Sequence, residues 1–336
     1  MTPGMTKQQR VRSALRGEVL DRPPYGFWTH LPGIDLDPER LPRATAAFCA
    51  RYDLDFVKSM PNGLYCVEDW GCICDYSDIE RGGVARVVDA AVNIESDWDK
   101  LECVDVKRGS LGRELEHLAS LVQRVGAGVP VLATVFSPLT IVGKLSNGVS
   151  REHVARNPGA VRRGLEVITE VTCEFARETI ARGCAGVFLA VQEATRSAFD
   201  ERTYREFGEP YDRRVLKAAQ TAGGWFNVVH MHGEDILFDV MKEYDVSALN
   251  WHIGETPPSI ADYRSAGGTK PILGGLQRGH ITQRSQSGIE ADIQRAMAET
   301  GGRGILIAPA CVIRYPVDEA TLRWTAERIK SLARSV

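Results

Sequence analysis

The sequence holds no run of about 18 apolar residues, the length that a membrane-spanning helix requires. Basic residues form no long stretch and the formal net charge is -3, so the electrostatic footprint of a nucleic-acid-binding face is missing. Residues 1–16 are polar and partly basic but contain no apolar core, and they do not read as a signal peptide. Internal repeats, low-complexity tracts and interdomain linkers are also missing. No glycine-rich loop follows a strand and opens a helix. The glycines around Arg303 precede an apolar run, which is the wrong side for a phosphate cradle. The eight cysteines are spread over 336 residues, which argues for free thiols in a reducing compartment rather than a disulfide framework. A cytoplasmic location is expected. Cys66, Cys72 and Cys74 lie close in sequence, but no second close pair completes a structural zinc site, and they read as free thiols.

What the chain does contain is a recurring alternation. Short apolar or β-branched runs fall at residues 25–28, 56–60, 131–136, 186–191, 227–230, 248–251, 272–275 and 305–308. Helical periodicity fills the intervals, for example from Arg162 to Arg182, from Ile289 to Glu299 and from Glu319 to Arg334. Strand alternating with helix predicts a parallel sheet. Eight such units predict a single (β/α)8 TIM barrel with its active site at the C-terminal strand ends. The chain therefore reads as one domain over 1–336, with an N-terminal extension. Residues 62–112 break the alternation and are expected to be an insertion after the second strand, with a short strand at residues 85–88.

The strand ends carry the chemistry. Side chains alternate faces along a strand, so His230 and His232 point the same way, while Val229 and Met231 point the other. A distant run ends at Cys311. Two imidazoles and one thiolate form a plausible three-ligand metal site, and this N/S donor set suits zinc with an open fourth position. Four of the seven histidines, including His30 and His252, fall at strand ends. Glu193 is the expected fourth ligand or general base, and His252 is a second candidate catalytic side chain. His30, Asn250, Gln277 and Arg278 are the expected substrate contacts.

Several segments, in this order and spacing, are similar to the uroporphyrinogen decarboxylase superfamily. They include Arg12 to Glu18 with Asp21-Arg22-Pro23-Pro24, Thr134-Val135-Phe136-Ser137-Pro138-Leu139-Thr140, and Gly183 to Leu189. Tyr204 with Phe207, Pro210 and Tyr211, then Leu249-Asn250-Trp251 and Leu273-Gly274-Gly275-Leu276, complete the set. The resemblance implies a (β/α)8 barrel, in agreement with the count of strands. Its decarboxylase branch carries an arginine-rich motif after the first strand, where this chain reads Phe27-Trp28-Thr29-His30-Leu31-Pro32-Gly33. Porphyrinogen decarboxylation is therefore not expected.

The other branch comprises corrinoid-dependent methyltransferases, in which a His-x-Cys pair and a distal cysteine bind zinc. Here His230 matches the family's histidine, Cys311 matches its distal cysteine, and His232 stands where the family has a cysteine. The resemblance thus implies a zinc-dependent methyltransferase that works with methylcobalamin held on a separate corrinoid protein. This chain has no Asp-x-His-x-x-Gly cobalamin motif of its own. A small molecule is the methyl donor or acceptor. A metal-assisted decarboxylase or lyase and a non-catalytic barrel subunit are the competing expectations. Dimers are common among symmetric soluble enzymes, so a homodimer is the oligomer to test.

Overall fold

The computed structural model describes residues 4–78 and 85–332. Nine strands form among the described residues: β1 Val57–Lys58, β2 Ile73–Asp75, β3 Arg86–Asp89, β4 Val131–Phe136, β5 Gly186–Val191, β6 Val228–Met231, β7 Ala248–Trp251, β8 Ile272–Leu276 and β9 Ile305–Pro309. Seven of them build one curled sheet in the order β1-β4-β5-β6-β7-β8-β9. Every neighbouring pair in it is parallel. This is an α/β fold consistent with a TIM-like barrel.

Alternation sorts the strand residues into two buried clusters. Val135, Val187, Leu189, Val229, Met231, Leu249 and Ile307 belong to the cluster that also holds apolar residues of the helices. Leu132, Phe188, Val228, Ala248, Leu273 and Leu306 point the other way and meet Val11 and Ala14 of the N-terminal helix Lys7–Leu15. His230 continues this second, inward row two residues beyond Val228.

Seven of the eight expected runs are strands of the sheet. Residues 25–28 are not a ladder strand. Tyr25 makes a single parallel bridge to Ile307, while Gly26 N–H donates to Ile307 O and Asp55 N–H donates to Tyr25 O. The segment thus links the last strand to the start of the first. Pro23 and Pro24 precede it and supply no N–H groups, which limits how far a ladder can extend.

A buried carboxylate fixes this junction. Asp55 is fully buried and accepts from Arg10 Nη1 at 2.7 Å, Arg22 Nη1 at 2.6 Å and the Tyr25 N–H at 3.0 Å. Arg10 also grips Asp21 through Nη2 at 2.7 Å. A charge this deep is tolerable because every oxygen is matched by a charged or backbone donor.

Residues 62–112 lie mostly outside the seven-stranded sheet. The short strand expected at 85–88 is observed as β3, antiparallel to β2, with Cys74 opposite Val87. Trp98 ties this region to the body. Its Nε1–H donates to His153 Nδ1 at 3.1 Å, and a Cβ on Gly164 would come within 2.8 Å of its ring. The expected helices form as Pro158–Ala181, Gln286–Thr300 and Glu319–Lys330. Asn157 caps the first, accepting from the Ala160 N–H at 3.1 Å. Arg334, the expected end of the last, lies outside the described residues. No helix is long and apolar enough to cross a membrane among the described residues.

Two predictions follow from these buried carboxylates. Asp55→Ala strands two arginines and should cost roughly 3–5 kcal/mol of stability, read by chemical denaturation. Asp212 is buried, and Tyr204 and Tyr244 both donate to its Oδ2, the latter at 3.0 Å. Burial pushes its carboxyl up to about 7, against the opposing pull of the two tyrosines. A raised folded pKa means the contribution is complete below the unfolded value and is lost as pH rises through about 7. Asp212→Asn should remove this slope, which is at most about 1.4 kcal/mol per pH unit, from melting curves recorded between pH 4 and 8.

Candidate active site

The inward row of β6 ends in a cluster of four side chains. His230, His232, His252 and Cys311 each offer a ligand atom, and all these atoms lie within 4.8 Å of one another. Cys311 Sγ stands 3.9 Å from His230 Nε2 and 3.7 Å from His232 Nδ1. The His232 and His252 rings meet edge to face with centroids 4.9 Å apart.

Local structure explains the convergence. Parallel register pairs His230 with Ala190 of β5 and with Asn250 of β7, so His230 and Asn250 share one face and one level. The N–H of His232 still donates to Val191 O at 2.9 Å, holding the chain in line beyond β6. Gly233 then turns it with φ +100°, a conformation that side chains rarely adopt. Beyond β9, the Ala310 N–H donates to Leu276 O at 2.8 Å and presents Cys311.

Neighbouring polar groups set which ring nitrogens face the cluster. Asn250 Nδ2 donates to Leu273 O at 2.6 Å, which leaves Oδ1 to accept from His230 Nδ1. That bond places the proton on Nδ1 and frees the Nε2 lone pair toward Cys311. The His252 Nδ1 faces Glu255 at 3.6 Å, and Arg278 grips the same carboxylate at 2.9 Å. The His252 Nε2 is buried with no hydrogen-bond partner among the described residues. An unsatisfied buried polar atom costs about 1–3 kcal/mol, so this nitrogen is an open donor inside the cluster.

Burial governs protonation here. It holds His230 well below the usual imidazole range, with His232 and His252 adding to the effect. It lowers His232 and pushes His252 down to about 3. It raises the Cys311 thiol, partly offset by the Val312 N–H and by Arg278. Neutral imidazoles are the form that metals bind, and a buried thiol ionises when a cation arrives beside it.

A cavity of about 650 Å³ opens onto His230, His232 and Cys311. His30 and Arg278, two of the expected substrate contacts, line it. Burial and the Lys58 cation push His30 down to about 4. Asn250 is fully buried and serves His230 instead of facing the cavity. Gln277 is turned away and donates to Asp292 Oδ1 at 3.0 Å. Glu193, expected as fourth ligand or general base, is outside both the cluster and the cavity lining. Its carboxylate packs so closely on Gly143 that a Cβ there would lie 2.7 Å from Oε1. His252 takes the fourth place in the cluster.

Sequence reading missed two groups. Glu255 sits three residues past His252, at a spacing that carries no strand signal. Lys58 lines the cavity from β1, and its signal was present: it shares a strand face with apolar Phe56 and Met60.

A curled parallel α/β sheet with three imidazoles and a thiol gathered at its strand ends defines an enzyme-like barrel with a candidate metal centre. The chain belongs to the uroporphyrinogen decarboxylase (URO-D) family, whose model matches residues 6–332. Its curated relatives are methyltransferases. The methylated-thiol–coenzyme M methyltransferase of Methanosarcina mazei is 24% identical over 261 residues, covering 75% of this chain and 66% of that protein. The methylcobamide:CoM methyltransferase MtbA of the same organism is 18% identical, covering 76% of this chain and 72% of that protein. Among solved structures, a methyltransferase from Methanosarcina mazei superposes with a TM-score of 0.83 at 17% identity, covering 98% of this chain and 99% of that one. A B12-independent methionine synthase from Shewanella sp. W3-18-1 gives a TM-score of 0.57 at 12% identity, covering 93% and 92%. These likenesses show the shared fold.

The geometry predicts a graded response in metal content. Cys311→Ser and His230→Ala should abolish stoichiometric binding. Asn250→Ala, which leaves every ligand in place, should weaken affinity about 10–100-fold by freeing the His230 ring. Chelator competition with elemental analysis reads both effects, and full occupancy in Cys311→Ser would remove that residue from the ligand set.

Proposed function

We propose that this chain is a zinc-dependent methyltransferase that moves a methyl group between a small-molecule heteroatom and the cobalt of a separate corrinoid protein. The observation that carries the reading is the His230–His232–His252–Cys311 cluster at the cavity. The methyltransferase relatives support it. In this reading residues 25–28 are the eighth stave of a (β/α)8 barrel, and the whole of 1–336 is one domain with an insertion at 62–112. The enzyme works in the cytoplasm, and methylcobalamin arrives bound to the partner corrinoid protein.

The donor set fits zinc. One thiolate and neutral imidazoles are its ordinary ligands, and a tetrahedral ion with bonds of about 2.0–2.3 Å sets its ligand atoms about 3.3–3.8 Å apart, close to the 3.9 and 3.7 Å from Cys311 Sγ to His230 and His232. His230, His232 and Cys311 would hold it, with His252 as a further donor beside them. Bound zinc supplies Lewis acidity, polarising a substrate oxygen, nitrogen or sulfur or acidifying a thiol.

The protein's residues supply the rest. Asn250 keeps the His230 lone pair aimed inward, and Glu255 with Arg278 steadies the ring of His252. Apolar groups such as Trp28, Met60, Phe136 and Phe188 line part of the cavity beside them. Replacing the family's cysteine by His232 exchanges an anionic ligand for a neutral one, so the bound metal keeps more positive charge. Such a site would favour polarising a methylated O, N or S donor over raising the nucleophilicity of a thiol. The direction favoured is therefore from a small methylated donor to the corrinoid.

Purified protein should contain about one zinc per chain and should methylate reduced cobalamin from a methyl donor in a panel of methylated thiols, ethers and amines. Absorbance of methylcobalamin reports the transfer. Absence of metal after zinc is added back would overturn the proposal. Turnover of a small acid without any cobalamin would assign the chain to the lyases instead.

A further inference from the structure

Among the groups lining the cavity, Lys58 is the one whose burial the fold does not explain. Its amine is almost wholly removed from water, and burial pushes it down to about 7, so an anion beside it is what would hold it as an ammonium. It donates to Thr134 Oγ1 at 2.9 Å and Ser59 O at 3.2 Å, with Met60 Sδ at 3.0 Å, and it stands over the Phe188 ring at 4.6 Å. Among the described residues it forms no ion pair. Neutral acceptors and a ring face recover only part of the cost of burying a cation, and an apolar side chain would pack here with less penalty.

The cavity's other cations are occupied or solvated. Arg278 is held by Glu255, Lys144 lies over the Phe136 ring at 4.6 Å, and Arg314 is exposed. Lys58 is also near the cluster. Phe188 contacts both, with its ring 5.1 Å from that of His230, so amine and imidazole are separated by no more than those two contacts laid end to end. Lys58 and the candidate ligand cluster thus line one cavity, with the Phe188 ring in contact with both.

We propose that Lys58 receives the anionic group of the substrate and so selects short organic acids whose reacting heteroatom reaches the cluster. The inference rests on the metal-bound substrate of the preceding reading. A carboxylate entering beside Lys58 completes an ion pair inside a low-dielectric cavity, where charge-assisted hydrogen bonds are strong. A neutral molecule of the same shape leaves the ammonium unpaired.

The test uses zinc-loaded full-length protein, with 3-mercaptopropionate and its uncharged counterpart 3-mercaptopropionamide as probes, followed by isothermal titration calorimetry. The carboxylate should bind the wild type at least about tenfold more tightly than the amide. Lys58→Met should shrink that preference to within about twofold while leaving zinc content and amide affinity unchanged, with the melting temperature equal or higher. Lys58→Arg should keep most of the preference. Equal affinities in the wild type, no binding of either probe, or a preference that survives in Lys58→Met would each overturn the proposal. Should Lys58→Met fail to fold, the wild-type comparison together with Lys58→Arg still decides. Because binding is read without turnover, the two readings separate. A Lys58-dependent preference without methyl transfer sinks the proposed reaction alone, and methyl transfer without the preference sinks the role of Lys58 alone.

Discussion

The register between β6 and β7 is the constraint on which the site depends. His230 and Asn250 are partners in a parallel ladder, and the period of a strand is two. A slip of one residue would carry His230 to the helix side and bring Met231 into the cavity. The same register puts Val228 beside Ala248 in the inner core, so the apolar packing that stabilises the barrel also locks the ligands. Fixing one backbone alignment therefore fixes three things at once: the depth of His230, the partner of its Nδ1, and the direction of its Nε2.

Burial then does for the donors what register does for their positions. Removing the four groups from water favours their neutral forms, which lowers the imidazoles and raises the thiol. Neutral rings are the form that binds a cation, whereas a protonated Cys311 thiol would have to lose its proton for a cation to be held there. An N₃S set of this kind carries a single negative charge once bound, so a divalent ion would retain a net positive charge facing the substrate.

Much of this was legible in the sequence, for reasons that can be named. The strands announced themselves because both faces of a parallel sheet are covered, giving short continuous apolar runs. His230 and His232 were paired by alternation alone. Alternation fails where a strand ends, and the errors cluster there. Glu193 follows β5 by two residues, where the chain has already turned toward Gly143, and Gln277 is drawn off by Asp292. Asn250 was expected to meet a substrate, yet its Oδ1 accepts from a histidine on the neighbouring strand, which no single-strand pattern reveals. The fourth member of the cluster, His252, stood in plain sight at a strand end. Only the closeness of neighbouring strands, about 4.8 Å, turns that into a shared site.

All parallel strands of such a sheet end on one side, so Lys58 of β1 and Thr134 of β4 line the same cavity as His230 of β6 and Cys311 beyond β9. His230 and Asn250 are tied to core register and to one another. Lys58 is tied to neither: among the described residues it forms no ion pair, and its neighbours Thr134 and Ser59 satisfy each other without it, through Thr134 Oγ1 donating to Ser59 O at 2.6 Å. A change at Lys58 would therefore leave the register of β6 and β7 and the Asn250–His230 bond in place.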